Sequence, residues 1–191
     1  MLKEWNAIVK DVDALSEFRF PRKVINSEEP NRIAIFWDAS KDAYGFSVYK
    51  LGGESANNSS RSLFSKVKVA PLKTKTLPTL ELLAMFLAFK CLKTFLKKCI
   101  SVEEVFVRFT ESQVALSWII SGYVKTKNKF ASNRVKDVNC MHKQFCEKGN
   151  LSIFYLHVPT NLNPADMITR EISKYVFSSQ MEFWSKGPNF I

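Results

Sequence analysis

Three apolar, strand-like segments follow one another in this 191-residue chain before any segment with helical periodicity occurs. They cover residues 33–38, 44–51 and 62–69, and they are rich in β-branched and aromatic side chains. Gly52 and Gly53 end the second segment, and the polar stretch 54–60 separates it from the third. Because strands joined by short connections pair antiparallel, the sequence predicts a three-stranded antiparallel sheet at the start of the fold.

An apolar helix and an alternation of strands and helices come next. From Leu80 to Leu96 apolar residues occupy most of the helical circumference, with Thr76 as a candidate N-cap and Pro78 in the first turn. The patterns after it predict strands at 105–110 and 151–158 and helices at 112–121, at 130–148 and from Asn163 onward. This order predicts an α/β fold with a five-stranded mixed sheet, in which three antiparallel strands precede parallel ones and helices cover both faces.

Four carboxylates stand where apolar strands end or where helices carry apolar faces. Asp38 closes the first strand and Glu111 follows the fourth, while Glu81 lies about one turn into the first long helix and Asp166 opens the last helix. A buried acid is costly unless a cation neutralises it, and carboxylates without nearby His or Cys suit Mg²⁺. Each acid alone can be explained as a turn or first-turn residue, but the four together predict a divalent-metal site at the carboxyl ends of the strands.

The net charge of +10 is concentrated in two segments. Residues 61–100 carry nine Lys or Arg against one acid, and residues 121–150 carry seven against two. Such clustering favours binding of a polyanion such as nucleic acid, although for any single lysine a solvated helix surface is sufficient explanation.

The remaining composition excludes some classes of protein. No run of about 18 apolar residues is present and the N-terminus has no apolar leader, so neither membrane spanning nor secretion is expected. The four cysteines form no CxxC pair, which predicts reduced thiols in an intracellular protein of the cytoplasm or nucleus. A zinc site around Cys140, His142 and Cys146 is a minor alternative.

Several short motifs occur in a characteristic order over residues 20–191. They are Phe36-Trp37-Asp38-Ala39-Ser40, Thr76-Leu77-Pro78-Thr79-Leu80-Glu81-Leu82, Ser112-Gln113 with Trp118, Phe130-Ala131-Ser132-Asn133-Arg134, and Asn163-Pro164-Ala165-Asp166 with Arg170. In this order the chain resembles the ribonuclease H domain of Bel/Pao-type retrotransposon polyproteins. The resemblance implies a ribonuclease H-like domain at 31–172, an extension at 1–30 interpreted as a former linker to an upstream reverse transcriptase, and a tail at 173–191.

The resemblance also implies a chemistry. It implies an endonuclease that hydrolyses the RNA strand of RNA/DNA hybrids with two Mg²⁺ ions, for which Mn²⁺ can substitute. The catalytic, metal-binding acids would be Asp38, Glu81, Glu111 and Asp166. Candidate nucleic-acid contacts are Ser40, Lys73, Lys75, Gln113, Asn133 and Arg134, for several of which loop hydrogen bonding or helix capping is an equal explanation.

One departure from the family pattern leaves the activity open. The family usually has Asp where this chain has Glu111, whose carboxylate lies about one methylene farther from the backbone, and Mg²⁺ demands near-octahedral geometry. The chain is therefore either a working ribonuclease H or a catalytically impaired, domesticated copy that binds nucleic acid. An integrase-like or junction-resolving nuclease would need a different acid spacing, and a protein-interaction module would leave the acids unexplained. His157, the histidine nearest the last acid, is interpreted as a strand-end residue.

Overall fold

The computed structural model describes residues 2–15, 32–52, 60–73, 75–98, 104–109, 112–124, 128–149, 151–170 and 179–191. The elements in chain order are α1 (Leu2–Leu15), β1 (Arg32–Ala39), β2 (Ala43–Lys50), β3 (Arg61–Val69), α2 (Leu77–Lys98), β4 (Glu104–Phe109), α3 (Gln113–Ser121), α4 (Lys129–Gly149), β5 (Ser152–His157), α5 (Asp166–Thr169) and α6 (Met181–Lys186). A 3-10 turn at Thr160–Leu162 precedes α5.

The strands form one sheet in the order β3-β2-β1-β4-β5. The pairs β3–β2 and β2–β1 are antiparallel, whereas β1–β4 and β4–β5 are parallel, as expected where a helix connects successive strands. The predicted α/β class and the antiparallel pairing of the first three strands are confirmed. The central strand β1 therefore ends beside β4, and Asp38 pairs in register with Gly45 of β2.

Alternate residues of β1 contribute to two separate cores. Ile33, Ile35 and Trp37 belong to the large core, in which buried side chains of α2 and α4 pack on the sheet. Ala34 and Phe36 lie in the smaller core on the other side, with Tyr49, Val158, Ala165 and the C-terminal residue Ile191. This division follows from the pleat of a strand, which points successive side chains to opposite faces. Both faces of β1 are consequently buried.

The C-terminal part of the chain differs most from the expectation. The prediction of one helix from Asn163 onward is wrong, because α5 begins at Asp166 and ends at Thr169, and Arg170 has extended backbone (φ −116°, ψ 157°). The described part of the tail, 179–191, contains α6, and the Tyr49 hydroxyl donates a 2.7 Å hydrogen bond to the Trp184 carbonyl. This part of the tail is therefore packed against the sheet.

Two further regions bear on sequence-based expectations. The 1–30 extension contains α1, on which Trp5, Ile8 and Val12 are exposed apolar side chains. No helix among the described residues is long and apolar enough to cross a bilayer. The alternative zinc site at Cys140, His142 and Cys146 is not assembled. Cys140 is exposed, His142 Nδ1 lies 2.6 Å from the Tyr155 hydroxyl, and the described residues contain no metal-holding group of His, Cys, Asp or Glu.

Candidate functional site

Asp38 lies at the carboxyl end of β1 and is only 3% exposed. Thr169 Oγ1 donates a 2.5 Å hydrogen bond to Asp38 Oδ2. Burial raises the pKa of the Asp38 carboxyl because the charged form loses hydration, whereas the hydrogen bond from Thr169 lowers it. The negative charge of Asp166 raises this pKa further and the positive charge of Arg170 lowers it. Burial is therefore the main influence on the pKa of Asp38, and groups at 166–170 modify it in both directions.

Glu81 is brought to the same place by α2. It is 5% exposed, and apart from Thr79 the other buried positions of its helix are apolar. Pro78 is tolerated because it stands in the first turn, where its missing N–H has no intrahelical acceptor. Asp38 and Glu81 line one cleft of about 210 Å³, together with Ala39, Leu77, Pro78, Ser112, Val114, Thr160 and Arg170. Two nearly buried acids thus share one opening at the carboxyl edge of the sheet.

Asp166 lies close enough to influence the pKa of Asp38 but is not among the residues that line the cleft. Its Oδ1 lies 2.7 Å from Arg170 Nε in an ion pair between the first residue of α5 and the residue after its end. The negative charge of Asp166 disfavours ionisation of Asp38 and so raises the pKa of the Asp38 carboxyl. Of this pair, Arg170 contributes to the cleft wall. The cleft is therefore bordered by the two carboxylates of Asp38 and Glu81 and by the Arg170 guanidinium.

Side chains hold the segment 163–169 against the end of β1. Asn163 Nδ2 donates to the Trp37 carbonyl at 3.0 Å, and Ser40 Oγ donates to the Thr169 carbonyl at 2.6 Å. Gly45 permits this close approach, because a Cβ there would lie 2.7 Å from the Lys66 carbonyl oxygen and 3.1 Å from a methyl of Ile168. The position of Asp166 next to Asp38 thus depends on contacts between residues more than 100 positions apart in the sequence.

Three carboxylates and one hydroxyl in this region have the donor chemistry that a divalent ion needs. Asp38, Glu81 and Asp166 offer hard oxygen ligands of the kind Mg²⁺ prefers, and Ser112 Oγ, which is buried at the cleft wall, has no hydrogen-bond partner among the described residues. Glu111 lies outside the described residues. Within the described part of the chain, no three His, Cys, Asp or Glu side chains form a group that could hold a metal ion. The residues fit such an ion in chemical type, although Asp38, Glu81 and Asp166 do not form a three-ligand group in this structure.

The predicted nucleic-acid contacts lie in different environments. Lys73, Gln113 and Asn133 are exposed. Lys75 Nζ lies 4.2 Å from the ring centroid of Phe130, and the Arg134 guanidinium lies 4.5 Å from that of Phe86. Arg134 is also paired with Asp137 at 3.0 Å, so it is held in place rather than free in solvent.

A second, open depression of about 450 Å³ adjoins the cleft. Its lining residues are Ala39, Ser40, Lys41, Asp42, Lys75, Leu77, Leu80 and Arg170, three of which are cations. The Ser40 hydroxyl is already engaged, because it donates to Thr169 and accepts from the backbone N–H of Asp42 and Ala43 at 3.2 and 3.1 Å. Arg170 is shared by the cleft and the depression.

The motifs predicted some of these residues and missed others. Asp38 and Glu81 were identified from acids placed in apolar segments, and the structure brings both to one cleft. Thr169 was not identified, since no local pattern marks a residue whose partner is 131 positions away. Asn163 and Arg170 occurred in a motif without an assigned role. The proximity of Asp166 and Arg170 at an i,i+4 spacing was the available signal for their ion pair.

Comparisons with known proteins concern the chain as a whole. A profile of the Pao retrotransposon-like RNaseH-like domain matches residues 1–112. A comparison with curated protein sequences finds no match. Among solved structures, the chain is similar to LC11-RNase H1 isolated from compost by a metagenomic approach, at 17% identity, with 80% of this chain and 98% of that chain covered and a TM-score of 0.48. It is similar to the N-terminal ribonuclease H domain of rv2228c from Mycobacterium tuberculosis at 15% identity, with 80% and 97% covered and a TM-score of 0.49.

Proposed function

We propose that this chain, which belongs to the family of Pao retrotransposon-like RNaseH-like domains, is an endonuclease that hydrolyses the RNA strand of RNA/DNA hybrids. The observation that carries the proposal is the cleft shared by Asp38 and Glu81, two acids that are each at most 5% exposed. Buried carboxylates at the carboxyl edge of a sheet are poor packing residues but suitable ligands for cations. The proposed setting is a retrotransposon polyprotein with an upstream reverse transcriptase.

Asp38 and Glu81, with Asp166 and Glu111, would hold two Mg²⁺ ions or Mn²⁺ in their place. When bound, such ions supply a lowered pKa for the attacking water and stabilise the charge that develops on the phosphate. Thr169 keeps the Asp38 carboxyl oriented and favours its ionised form by donating to Oδ2. The Ser112 hydroxyl at the cleft wall is available as a donor or acceptor for a water in the cleft.

The basic surface beside the cleft would hold the nucleic acid. Lys41, Lys75 and Arg170 line the adjoining depression. Lys73, two residues before Lys75 in the sequence, is exposed. Cations in this position contact phosphates and give affinity without selecting a sequence. Gln113 and Asn133 are the proposed contacts to the RNA strand, since exposed side-chain amides can recognise a ribose 2′-hydroxyl.

The test is a cleavage assay on a labelled hybrid with Mg²⁺ or Mn²⁺, comparing wild type with Asp38→Asn and Glu182→Gln. Glu182 is the control acid, because it lines neither the cleft nor the depression and 78% of its side chain is accessible. We expect 5′-phosphate and 3′-hydroxyl products from wild type and Glu182→Gln, and none from Asp38→Asn. Cleavage by Asp38→Asn at equal folding would refute the site.

A catalytically impaired copy is the second candidate, and Glu111 is the observation that favours it. The longer side chain can displace a ligand oxygen from the position that Mg²⁺ requires. Hybrid binding without cleavage in either Mg²⁺ or Mn²⁺ would support this candidate. Cleavage in both ions would exclude it.

A further inference from the structure

We propose that Arg170 is a built-in competitor of a divalent ion for Asp166, and that binding of the ion transfers the Arg170 guanidinium to the neighbouring basic depression. The inference rests on the proposed function, since it assumes that Asp166 takes part in the metal site. It assigns to one side chain two alternative positions, one beside the acids and one beside phosphate-binding cations. The consequence is that metal binding and nucleic-acid binding favour each other.

The first position is the one that the structure contains. Arg170 Nε lies 2.7 Å from Asp166 Oδ1, and Arg170 also lines the cleft with Asp38 and Glu81. Like charges crowded around a cleft repel one another, and the guanidinium supplies positive charge at this place. A divalent ion that binds Asp166 supplies the same charge. The ion and the guanidinium therefore compete for one carboxylate.

The second position follows from the location of Arg170 between two hollows. Arg170 lines the depression that also contains Lys41 and Lys75, and its side chain is 56% exposed. It follows the last residue of α5 and has extended backbone, so packing within a helix does not restrict its rotation. Released from Asp166, the guanidinium can join the two lysines as a third phosphate contact. Reciprocity of linkage then requires that a bound phosphate also promotes metal binding.

The size of the effect follows from the exposure of the pair. Solvent screens ion pairs as exposed as this one, so such a pair changes the equilibrium constant for a competing event, here metal binding, by at most about fivefold. Replacing Arg170 with Gln should therefore tighten Mn²⁺ binding by about three- to fivefold. It should also remove one phosphate contact from the metal-bound protein, which lowers the slope of log affinity against log salt by about one.

The first experiment titrates Mn²⁺ into the full chain without nucleic acid and counts free Mn²⁺ by its paramagnetic resonance signal. Lys186→Gln is the matched control, because Lys186 forms a 2.6 Å i,i+4 ion pair with Glu182 in the short helix α6. We expect tighter binding only in Arg170→Gln. Equal or weaker binding in Arg170→Gln, with measurable binding in wild type, would overturn the inference and leave the proposed function standing. Absence of Mn²⁺ binding in both proteins would refute the metal site and the inference together.

The second experiment measures binding of a DNA duplex, which has no RNA strand to cut, over a range of salt with and without Mn²⁺. Without the ion Arg170 is paired with Asp166, so wild type and Arg170→Gln should have equal slopes. With the ion, the Arg170→Gln slope should be shallower by about one. Equal slopes under both conditions would overturn the transfer of the guanidinium to the depression.

Discussion

Replacing Thr169 with Val should destabilise the metal-free protein by about 2 kcal/mol at pH 7.5. The substitution keeps the shape of the side chain but removes the hydroxyl that donates to Asp38 Oδ2 at 2.5 Å. Both residues are 3% exposed, so water does not replace the lost donor, and a hydrogen bond to a charged group is worth about 1.5–3 kcal/mol. The change should be measured by urea unfolding in the presence of a chelator.

The pH dependence of this loss has a definite sign. The pKa of Asp38 is raised in the folded state, so its ionisation lowers the stability as the pH rises from the ordinary Asp value of 3.8 through the folded-state pKa. The Thr169 hydrogen bond lowers the pKa of Asp38, so replacing Thr169 with Val raises that pKa further. The difference in unfolding free energy between wild type and Thr169→Val should therefore be largest at pH 7.5 and should shrink as the pH falls toward 4.

A matched control is Thr94→Val, which removes an exposed hydroxyl that donates to the Lys90 carbonyl at 3.2 Å within α2. We expect a change below about 0.5 kcal/mol, as is usual for exposed sites. The reasoning would be refuted if Thr169→Val matched the wild-type stability, or if its loss were the same at both pH values. Either result would mean that the Thr169 hydroxyl does not support an ionised Asp38.

Other perturbations test the packing, the surface and the metal site. Gly45→Ala should cost about 1–3 kcal/mol in urea unfolding, because its Cβ would lie 2.7 Å from the Lys66 carbonyl oxygen, and wild-type stability would contradict this close approach. Gly122→Ala should cost only about 1 kcal/mol, since its φ of 68° is unfavourable but the nearest atom to the added Cβ is 3.8 Å away. Hybrid binding should weaken with log salt at a slope near −4 to −5 for about five neutralised phosphates, and a flat response would exclude phosphate contacts as its source. Glu111→Asp should raise the Mg²⁺-dependent cleavage rate about tenfold and remove a preference for Mn²⁺, whereas an unchanged rate would mean that the backbone already suits Glu111.

Local patterns were sufficient to predict much of this architecture. The continuous apolar run at residues 33–37 is typical of a strand buried on both faces, and the structure divides these residues between two cores. The apolar residues from Leu80 to Leu92 similarly predict that α2 is buried over most of its surface. Asp38 and Glu81 could be singled out because acids are rare in such surroundings. In each case a few neighbouring residues contain the whole signal.

Contacts between distant segments could not be predicted in this way. Between the 3-10 turn (Thr160–Leu162) and α5 (Asp166–Thr169), Asn163 donates to the Trp37 carbonyl, 126 residues away, and this contact holds the segment against β1. Two further long-range hydrogen bonds have no local signal in the sequence. Thr169 donates to the Asp38 carboxylate, and Ser40 donates to the Thr169 carbonyl. A hydrogen bond is short and directional, so its partner is fixed only once the fold has brought the donor and acceptor atoms within about 3 Å of each other. Periodicity identifies which faces are buried, whereas the pairing of polar groups across the cleft follows from the packed arrangement of β1 and α5.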